Sequence, residues 1–352
     1  MGAIRAKIVG AGGYGGIGLI ELLIRHPGVR IAALVDVEGQ GPISNMWPHL
    51  AGACDLPIVR PDSPEAKAGC DVVFYCTPDR VGMANAAAEV ANGRRVVDFS
   101  GDFRAPDEAT YAEYARRLGL EQKHLAPQLL KLSAYGVPEL HRAAIAKAKV
   151  VANPGCFAVG CILGLAPAVR EKMVEPDSII CDAKSGVSGA GKKARPQFHY
   201  PEVYENTFAY RLTGHQHAME VETQLGRIAG RAVQVTFTPQ VVPMARGILS
   251  VLYGRLASGV TQARVLAACR AAYEKEPFVR VYDAPGPGGT AVVRGSNACN
   301  LVVACDERTG CFRVLSHIDN LMKGQAGSAV QNMNVMFGLK ETLGLDHPGS
   351  HP

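Results

Sequence analysis

Hydrophobic and polar positions along this chain fall into two successive rhythms. A short apolar run over residues 4–9 leads into Gly10-Ala11-Gly12-Gly13-Tyr14-Gly15-Gly16, and residues 17–25 follow with helical spacing. That order predicts a strand, a tight turn and a helix. The rhythm repeats: residues 29–35, 71–76 and 95–99 predict strands, residues 81–91 a helix, and residues 107–118 a charged, peripheral helix. Strands alternating with helices argue for a parallel, doubly wound sheet. Beyond the turn at Asn153-Pro154-Gly155 the pattern shifts. Residues 178–184, 233–239, 247–256, 300–305 and 313–318 read as strands with one exposed face, which predicts a second domain with a large mixed or antiparallel sheet.

The glycine turn gives the first rhythm a chemical meaning. Glycines there permit a tight turn and let a pyrophosphate approach a helix N-terminus. Asp36 closes the second strand, twenty positions after Gly16, where a dinucleotide fold carries its ribose-binding acid. A carboxylate at that point bonds the ribose hydroxyls of NAD and repels the extra phosphate of NADP unless a nearby Lys or Arg compensates, and none follows within twenty residues. A solvated loop aspartate is the plainer alternative.

The second rhythm opens on a thiol. Residues 149–151 read as a short strand, Asn153-Pro154-Gly155 as a turn, and residues 157–165 as the start of a buried helix, which puts Cys156 in the helix's first turn. Free N–H groups and the macrodipole stabilise a thiolate there. A small buried hydrophobe is the plainer reading of any one cysteine. His215 and His217, with Glu220, precede a helix expected over residues 218–229 and supply candidate acid/base chemistry. Residues 98–104 form a polar loop at a strand's carboxyl end, where Arg104 can hold a carboxylate or phosphate, or pair with Asp98 or Asp102. In residues 185–193, small residues followed by Lys192 and Lys193 can wrap a phosphate through backbone N–H groups, or form a plain surface loop; Lys193 stands where a P-loop has Ser or Thr. Residues 135–140 read as a loop without an assigned task, and residues 324–338 as a turn leading into a helix that packs back on the first domain.

Composition narrows the classes. At 352 residues, 47% hydrophobic and 20% charged, the chain has the make-up of a soluble protein of two domains. Its net charge of +5 is spread without a block of like charges, so nucleic acid is not expected as a partner. Six glycines interrupt residues 4–24, which excludes a membrane span there. The ten cysteines are scattered, with no secretory leader read ahead of them and no zinc-type spacing between them, so the expectation is a reduced, cytoplasmic protein without metal.

Taken in order, residues 10–16, 98–104, 135–140, 153–156, 185–191, 215–220, 238–249 (TPQVVPMARGIL) and 319–334 (DNLMKGQAGSAVQNMN) resemble the N-acetyl-gamma-glutamyl-phosphate reductase family nearly end to end. The resemblance implies a Rossmann domain over residues 1–153 with 326–352, and an inserted α/β catalytic and oligomerisation domain over residues 154–325. It implies NADPH-dependent reduction of an acyl phosphate to an aldehyde by a homodimer or homotetramer, with Cys156 as nucleophile and His217 as acid/base. Substrate contacts are expected at Arg104, His215, Lys192, Arg246 and Glu220. Cofactor contacts are expected at Gly10, Gly13, Tyr14, Gly16, Asp36, Pro78, Ser185, Gly186 and Asn332, with Gln331 beside the last. The chain departs from the family where Phe157-Ala158-Val159 replaces the usual Tyr-Pro-Thr, Gln216 replaces arginine, Met219 replaces proline and Asp36 replaces serine. NADP(H) is therefore the family expectation and NAD(H) the alternative raised by Asp36. The aminoadipyl-phosphate reductase of lysine biosynthesis, with a longer and sometimes carrier-bound substrate, is the nearest alternative. A non-catalytic dinucleotide-binding redox sensor is the alternative of a different class.

Overall fold

The computed structural model describes residues 2–67 and 69–350; residues 1, 68, 351 and 352, which fall within the expected domain limits, lie outside the described residues. The chain divides into two compact units. One runs up to Pro154 and includes Gln325–His347; the other comprises Gly155–Gly324 and the segment after His347. The sequence reading carried the first domain to residue 352, whereas Ser350 donates its N–H to Arg294 O at 2.9 Å inside the second unit.

The first unit contains β1 (Ile4–Val9), α1 (Tyr14–Leu23), β2 (Val29–Val35), β3 (Gly41–Pro42), α2 (Ile43–Met46), β4 (Pro57–Val59), β5 (Val72–Tyr75), α3 (Val81–Ala91), β6 (Arg95–Asp98), α4 (Glu108–Leu118), β7 (Ser133–Tyr135), α5 (Pro138–Lys147) and β8 (Val150–Ala152). Its sheet runs β3-β4-β2-β1-β5-β6-β8-β7 and is parallel at every junction except β3 to β4. All four residues of β5 are buried, as expected for a central parallel strand covered on both faces. Strand order reverses between β1 and β5, and the glycine turn follows β1, so it stands at the switch point where such sheets bind ligands. Local chemistry sets the helix ends. The Asp107 carboxylate caps α4 by accepting the Thr110 N–H at 2.8 Å, and Gly119, in the left-handed region, ends it.

Residues 135–140, read from sequence as a loop, instead finish β7 and start α5. Pro138 occupies the first helical turn, where its missing N–H costs nothing, and residues 133–135 pair with 150–152 at the sheet edge.

The second unit contains α6 (Cys156–Arg170), β9 (Ile179–Ser185), α7 (Tyr200–Val203), β10 (Phe208–Ala209), α8 (Gln216–Ala229), β11 (Val235–Val241), β12 (Ile248–Arg255), α9 (Gln262–Tyr273), β13 (Val279–Asp283), β14 (Cys299–Val303) and β15 (Cys311–Ile318). The sheet order is β10-β11-β9-β12-β15-β14-β13; it is mixed, with β9–β11 and β13–β14 parallel. α6 packs on α8, α9, β12 and β15, and its residues 157–169 are all buried. The last helix, α10 (Gly327–Met336), is buried along its whole length and packs on α1 and α5 of the first unit. Among the described residues no helix is long and apolar enough to cross a membrane.

Candidate active site

Cys156 is the first residue of α6, half-buried, and the preceding Gly155 is its N-cap, with no side chain of its own to accept a helix N–H. No acidic residue lies in that first turn. The N-terminal N–H groups and the dipole of a fifteen-residue helix therefore favour negative charge at the sulfur.

α8 brings its first turn to the same point. The helix starts at Gln216, two residues earlier than the sequence suggests, so His217 and Glu220 are three apart on one helical face. The Glu220 carboxylate accepts the Gly155 N–H at 2.8 Å. A Cβ on Gly155 would overlap His217 Nε2 and stand 2.7 Å from Glu220 Oε2, so glycine is what lets the imidazole reach the residue next to the thiol. His217 and Glu220 are both more than nine-tenths buried.

His215 has a different character from its neighbour. It caps α8, its Nδ1 accepting the His217 N–H at 3.2 Å, and its ring stacks on Phe237 with centroids 4.9 Å apart. Burial, reinforced by the adjacent His217, drives the imidazole down to about 2. A neutral ring whose Nδ1 accepts is a fixed hydrogen-bonding group, not a proton donor in the working range. Phe157, where the family pattern has Tyr, lies 6.1 Å from the His215 ring and 5.8 Å from the His217 ring by centroids. Tyr210 went unremarked in the sequence. Its ring sits 5.6 Å from His215, and burial followed by the charge of Cys156 pushes its phenol up. An aromatic interleaved with charged residues in a segment of little regular structure gave no periodic signal to find it by.

The other expected substrate residues lie on separate segments of the chain. Arg246 engages the fully buried Asp319 through Nη2 at 3.0 Å and Nε at 3.3 Å, with about a third of its side chain exposed (32%). Lys192 is exposed on the loop after β9. Arg104 belongs to the first unit, where its Nε donates to Asn153 O at 2.9 Å and its Nη2 to Phe99 O at 2.7 Å. The guanidinium thus fits two main-chain carbonyls, beside whatever acid or anion it also meets.

In the first unit the glycine turn suits a dinucleotide. Gly10 has φ +83°, and a Cβ there would stand 2.6 Å from Cys76 O. Gly13 caps α1 with no side-chain bond, and no acid lies in the first turn formed by Tyr14, Gly15 and Gly16, so the helix terminus is open to an anion. The Asp36 carboxylate lies beside it, accepting the Gly12 N–H at 2.8 Å and the Glu38 N–H at 3.0 Å. Pro78 is exposed just past β5, on the same carboxyl edge.

The other residues expected at the cofactor are engaged by the protein itself. The Gly186, Val187 and Ser188 N–H groups donate to Gly247 O, Met244 O and Ala245 O at 2.9, 2.9 and 3.1 Å, and the Ser185 hydroxyl donates to Gly186 O at 3.0 Å. Those three N–H groups close a turn on residues 244–247. Asn332 is fully buried, its amide donating to Gly136 O at 2.9 Å and Asn153 Oδ1 at 3.3 Å. Gln331 donates to Glu341 at 2.8 Å and Glu139 at 3.1 Å. Both amides brace the first unit from within.

Comparison with known proteins identifies the family. Residues 5–148 match the family model described as semialdehyde dehydrogenase, NAD binding domain, and residues 156–320 the one described as semialdehyde dehydrogenase, dimerisation domain. A protein from Citrifermentans bemidjiense named N-acetyl-gamma-glutamyl-phosphate reductase is 44% identical over 97% of this chain and 98% of its own length. One of the same name from Symbiobacterium thermophilum is 44% identical over 98% of each chain. Among solved structures, aspartate semialdehyde dehydrogenase II from Vibrio cholerae, complexed with ASA, aligns with TM-score 0.73 at 16% identity over 96% of this chain and 99% of that one, which bears on the fold alone. The aspartate semialdehyde dehydrogenase with NADP from Candida albicans aligns with TM-score 0.69 at 17% identity over 95% and 98%. With both halves matched and relatives this similar end to end, the chain belongs to the semialdehyde dehydrogenases and, among them, to the N-acetyl-gamma-glutamyl-phosphate reductase family.

Proposed function

We propose that this protein reduces N-acetyl-glutamyl 5-phosphate to N-acetyl-glutamate 5-semialdehyde and inorganic phosphate, as the names of its relatives indicate, through a thioester on Cys156. The observation that carries the reading is the meeting of His217 and Glu220 on Gly155, immediately before a cysteine at an open helix N-terminus. The thiolate attacks the acyl carbon, the carbon–oxygen bond to phosphate breaks, and phosphate departs with the electron pair. The glycine turn and Asp36 would hold a nicotinamide cofactor, whose chemistry is hydride donation at the thioester carbon. His217 gives a proton to the developing oxyanion or to the departing sulfur, and the N–H groups at the start of α6 stabilise negative charge. Glu220 acts through Gly155, fixing the turn that aims the sulfur. Lys192 and the exposed part of Arg246 supply positive charge for the substrate's phosphate and carboxylate.

The relatives described above carry the glutamyl name, which favours that substrate over the longer aminoadipyl homologue. A nucleophile, an acid/base and a dinucleotide turn retained in one chain favour an enzyme over a redox sensor. The working form is a homodimer or homotetramer assembled through the second unit, whose matched family model is a dimerisation domain. Ten cysteines, all free thiols, suit a reducing cytoplasm.

The test is phosphate-dependent oxidation of N-acetyl-glutamate semialdehyde by the purified protein, run beside the aminoadipyl homologue. Turnover of the glutamyl substrate, lost in Cys156→Ser, supports the reading. Turnover of the longer substrate alone, or full activity in Cys156→Ser, refutes it.

A further inference from the structure

The surroundings of Asp36 bear on which nicotinamide nucleotide this protein takes. Asp36 ends β2 half-buried, each carboxylate oxygen accepting one main-chain N–H, from Gly12 and from Glu38. A carboxylate accepts about four hydrogen bonds in total, so each oxygen keeps a lone pair for a ribose hydroxyl. The Gly12 bond fixes this acceptor at the rim of the turn that takes the pyrophosphate. A 2′-phosphate on that ribose would bring roughly two negative charges to the same place.

The segment that follows Asp36 brings no cation to offset that charge. Val37 is 67% exposed, and the exposed Glu38 adds a second acid. The chain from Val37 to Val59 holds no Lys or Arg. Two arginines follow on the carboxyl edge of the sheet, and both already face acids. Arg60 comes next after Val59, whose carbonyl accepts the Asp36 N–H at 3.1 Å; its guanidinium lies 3.4 Å from Asp62. It lines an open cavity of about 420 Å³ that Asp62 and Glu65 also line. Arg80, after β5, donates to the Glu121 carboxylate at 2.5 Å and the Glu121 carbonyl at 2.8 Å. Asp36 and Glu38 are thus acids in a segment without Lys or Arg, and each of the two arginines is paired with an acid.

We infer that Asp36 makes this protein select NAD(H) over NADP(H), reading the ribose diol and excluding a 2′-phosphate. The inference rests on the assignment of the first unit as a nicotinamide-binding domain.

Equilibrium binding of NADH and NADPH to the whole protein, followed by nucleotide fluorescence without substrate, tests it. NADH is expected to bind at least about tenfold more tightly than NADPH, and ADP-ribose to compete better than its 2′-phosphate. Asp36→Asn, which keeps an acceptor for the Gly12 N–H while removing the charge, narrows the ratio, and Asp36→Ser narrows it further. Arg60→Ala leaves NADPH binding unchanged. NADPH binding as tightly as NADH overturns the inference. So does a loss of about tenfold or more in NADPH affinity on Arg60→Ala, because Arg60 would then be a phosphate partner. Failure to bind either nucleotide instead rejects the assignment of the domain itself.

Discussion

The Glu220 carboxylate, sixty-five residues away in sequence, accepts the N–H of Gly155 at 2.8 Å. That bond ties the first turn of α8, which carries His217, to the residue before Cys156. Leaving a buried N–H without an acceptor costs about 1–3 kcal/mol. Glu220→Ala should therefore destabilise the protein by about that amount and lower kcat, while slowing alkylation of Cys156 by iodoacetamide. Glu220→Gln keeps an acceptor and should retain most of both. If Gln and Ala variants lose alkylation rate equally, the charge matters and the hydrogen bond alone does not position the turn.

The two histidines should separate cleanly. Removing a general acid typically costs about 10²–10⁴-fold in rate, so His217→Asn should fall in that range. His215→Asn still offers a capping acceptor and should lose less. Because burial holds His215 neutral down to about pH 2, no limb of the pH–rate profile between pH 5 and 9 should disappear in the His215 variant. A limb that vanishes with His215 and survives in His217→Asn would reverse the assignment.

Arg104 and Asn332 converge on Asn153, three residues before the thiol, whose own N–H donates to Asp98 O at 2.8 Å and whose amide donates to Gln325 O at 3.0 Å. On this geometry Arg104 braces the main chain that leads to the thiol. Lysine cannot present Nε and Nη2 to two carbonyls at once, so Arg104→Lys should lower kcat by about tenfold or more with little change in KM for the acyl phosphate. A large rise in KM at constant kcat would return Arg104 to direct substrate binding.

Much of the first sheet was legible because its strands are local apolar runs. Residues 4–9, 29–35 and 81–91 read from the pattern coincide with β1, β2 and α3. β13 was missed: its sequence Val-Arg-Val-Tyr-Asp alternates over only five residues and pairs in parallel with β14, twenty positions on. α9 was missed too, although Thr261 caps it by accepting the Arg264 N–H, a signal available in the sequence. At the site, residue types were legible and partners were not. That Arg104 holds carbonyls, that the 186–188 N–H groups close a turn on residues 244–247, and that Glu220 reaches Gly155 are long-range outcomes of packing. A single sequence carries no local trace of them.

Asp98 and Asp102 give the fold a pH dependence of its own. Asp98 is fully buried; its Oδ1 accepts the Ser100 N–H and hydroxyl, while its Oδ2 has no hydrogen-bond partner. Burial, then the nearby Asp102 charge, pushes Asp98 up to about 7, and burial with Asp79 pushes Asp102 up to about 6. Both folded-state values lie above the unfolded value near 3.8. The folded protein therefore holds protons that the unfolded chain has released, and stability falls as pH rises from about 4 through about 7. Asp98→Asn removes the charge that must otherwise be buried. Holding that charge in the interior costs on the order of 4 kcal/mol, and the new amide donor, lacking an acceptor at the Oδ2 position, offsets about 1–3 kcal/mol of it. The variant should be more stable than the parent by about 1–3 kcal/mol at pH 8 in urea unfolding, with the advantage shrinking toward pH 4. A variant less stable at pH 8, or a difference independent of pH, would mean that Asp98 is ionised in the fold with its charge stabilised by the Ser100 bonds.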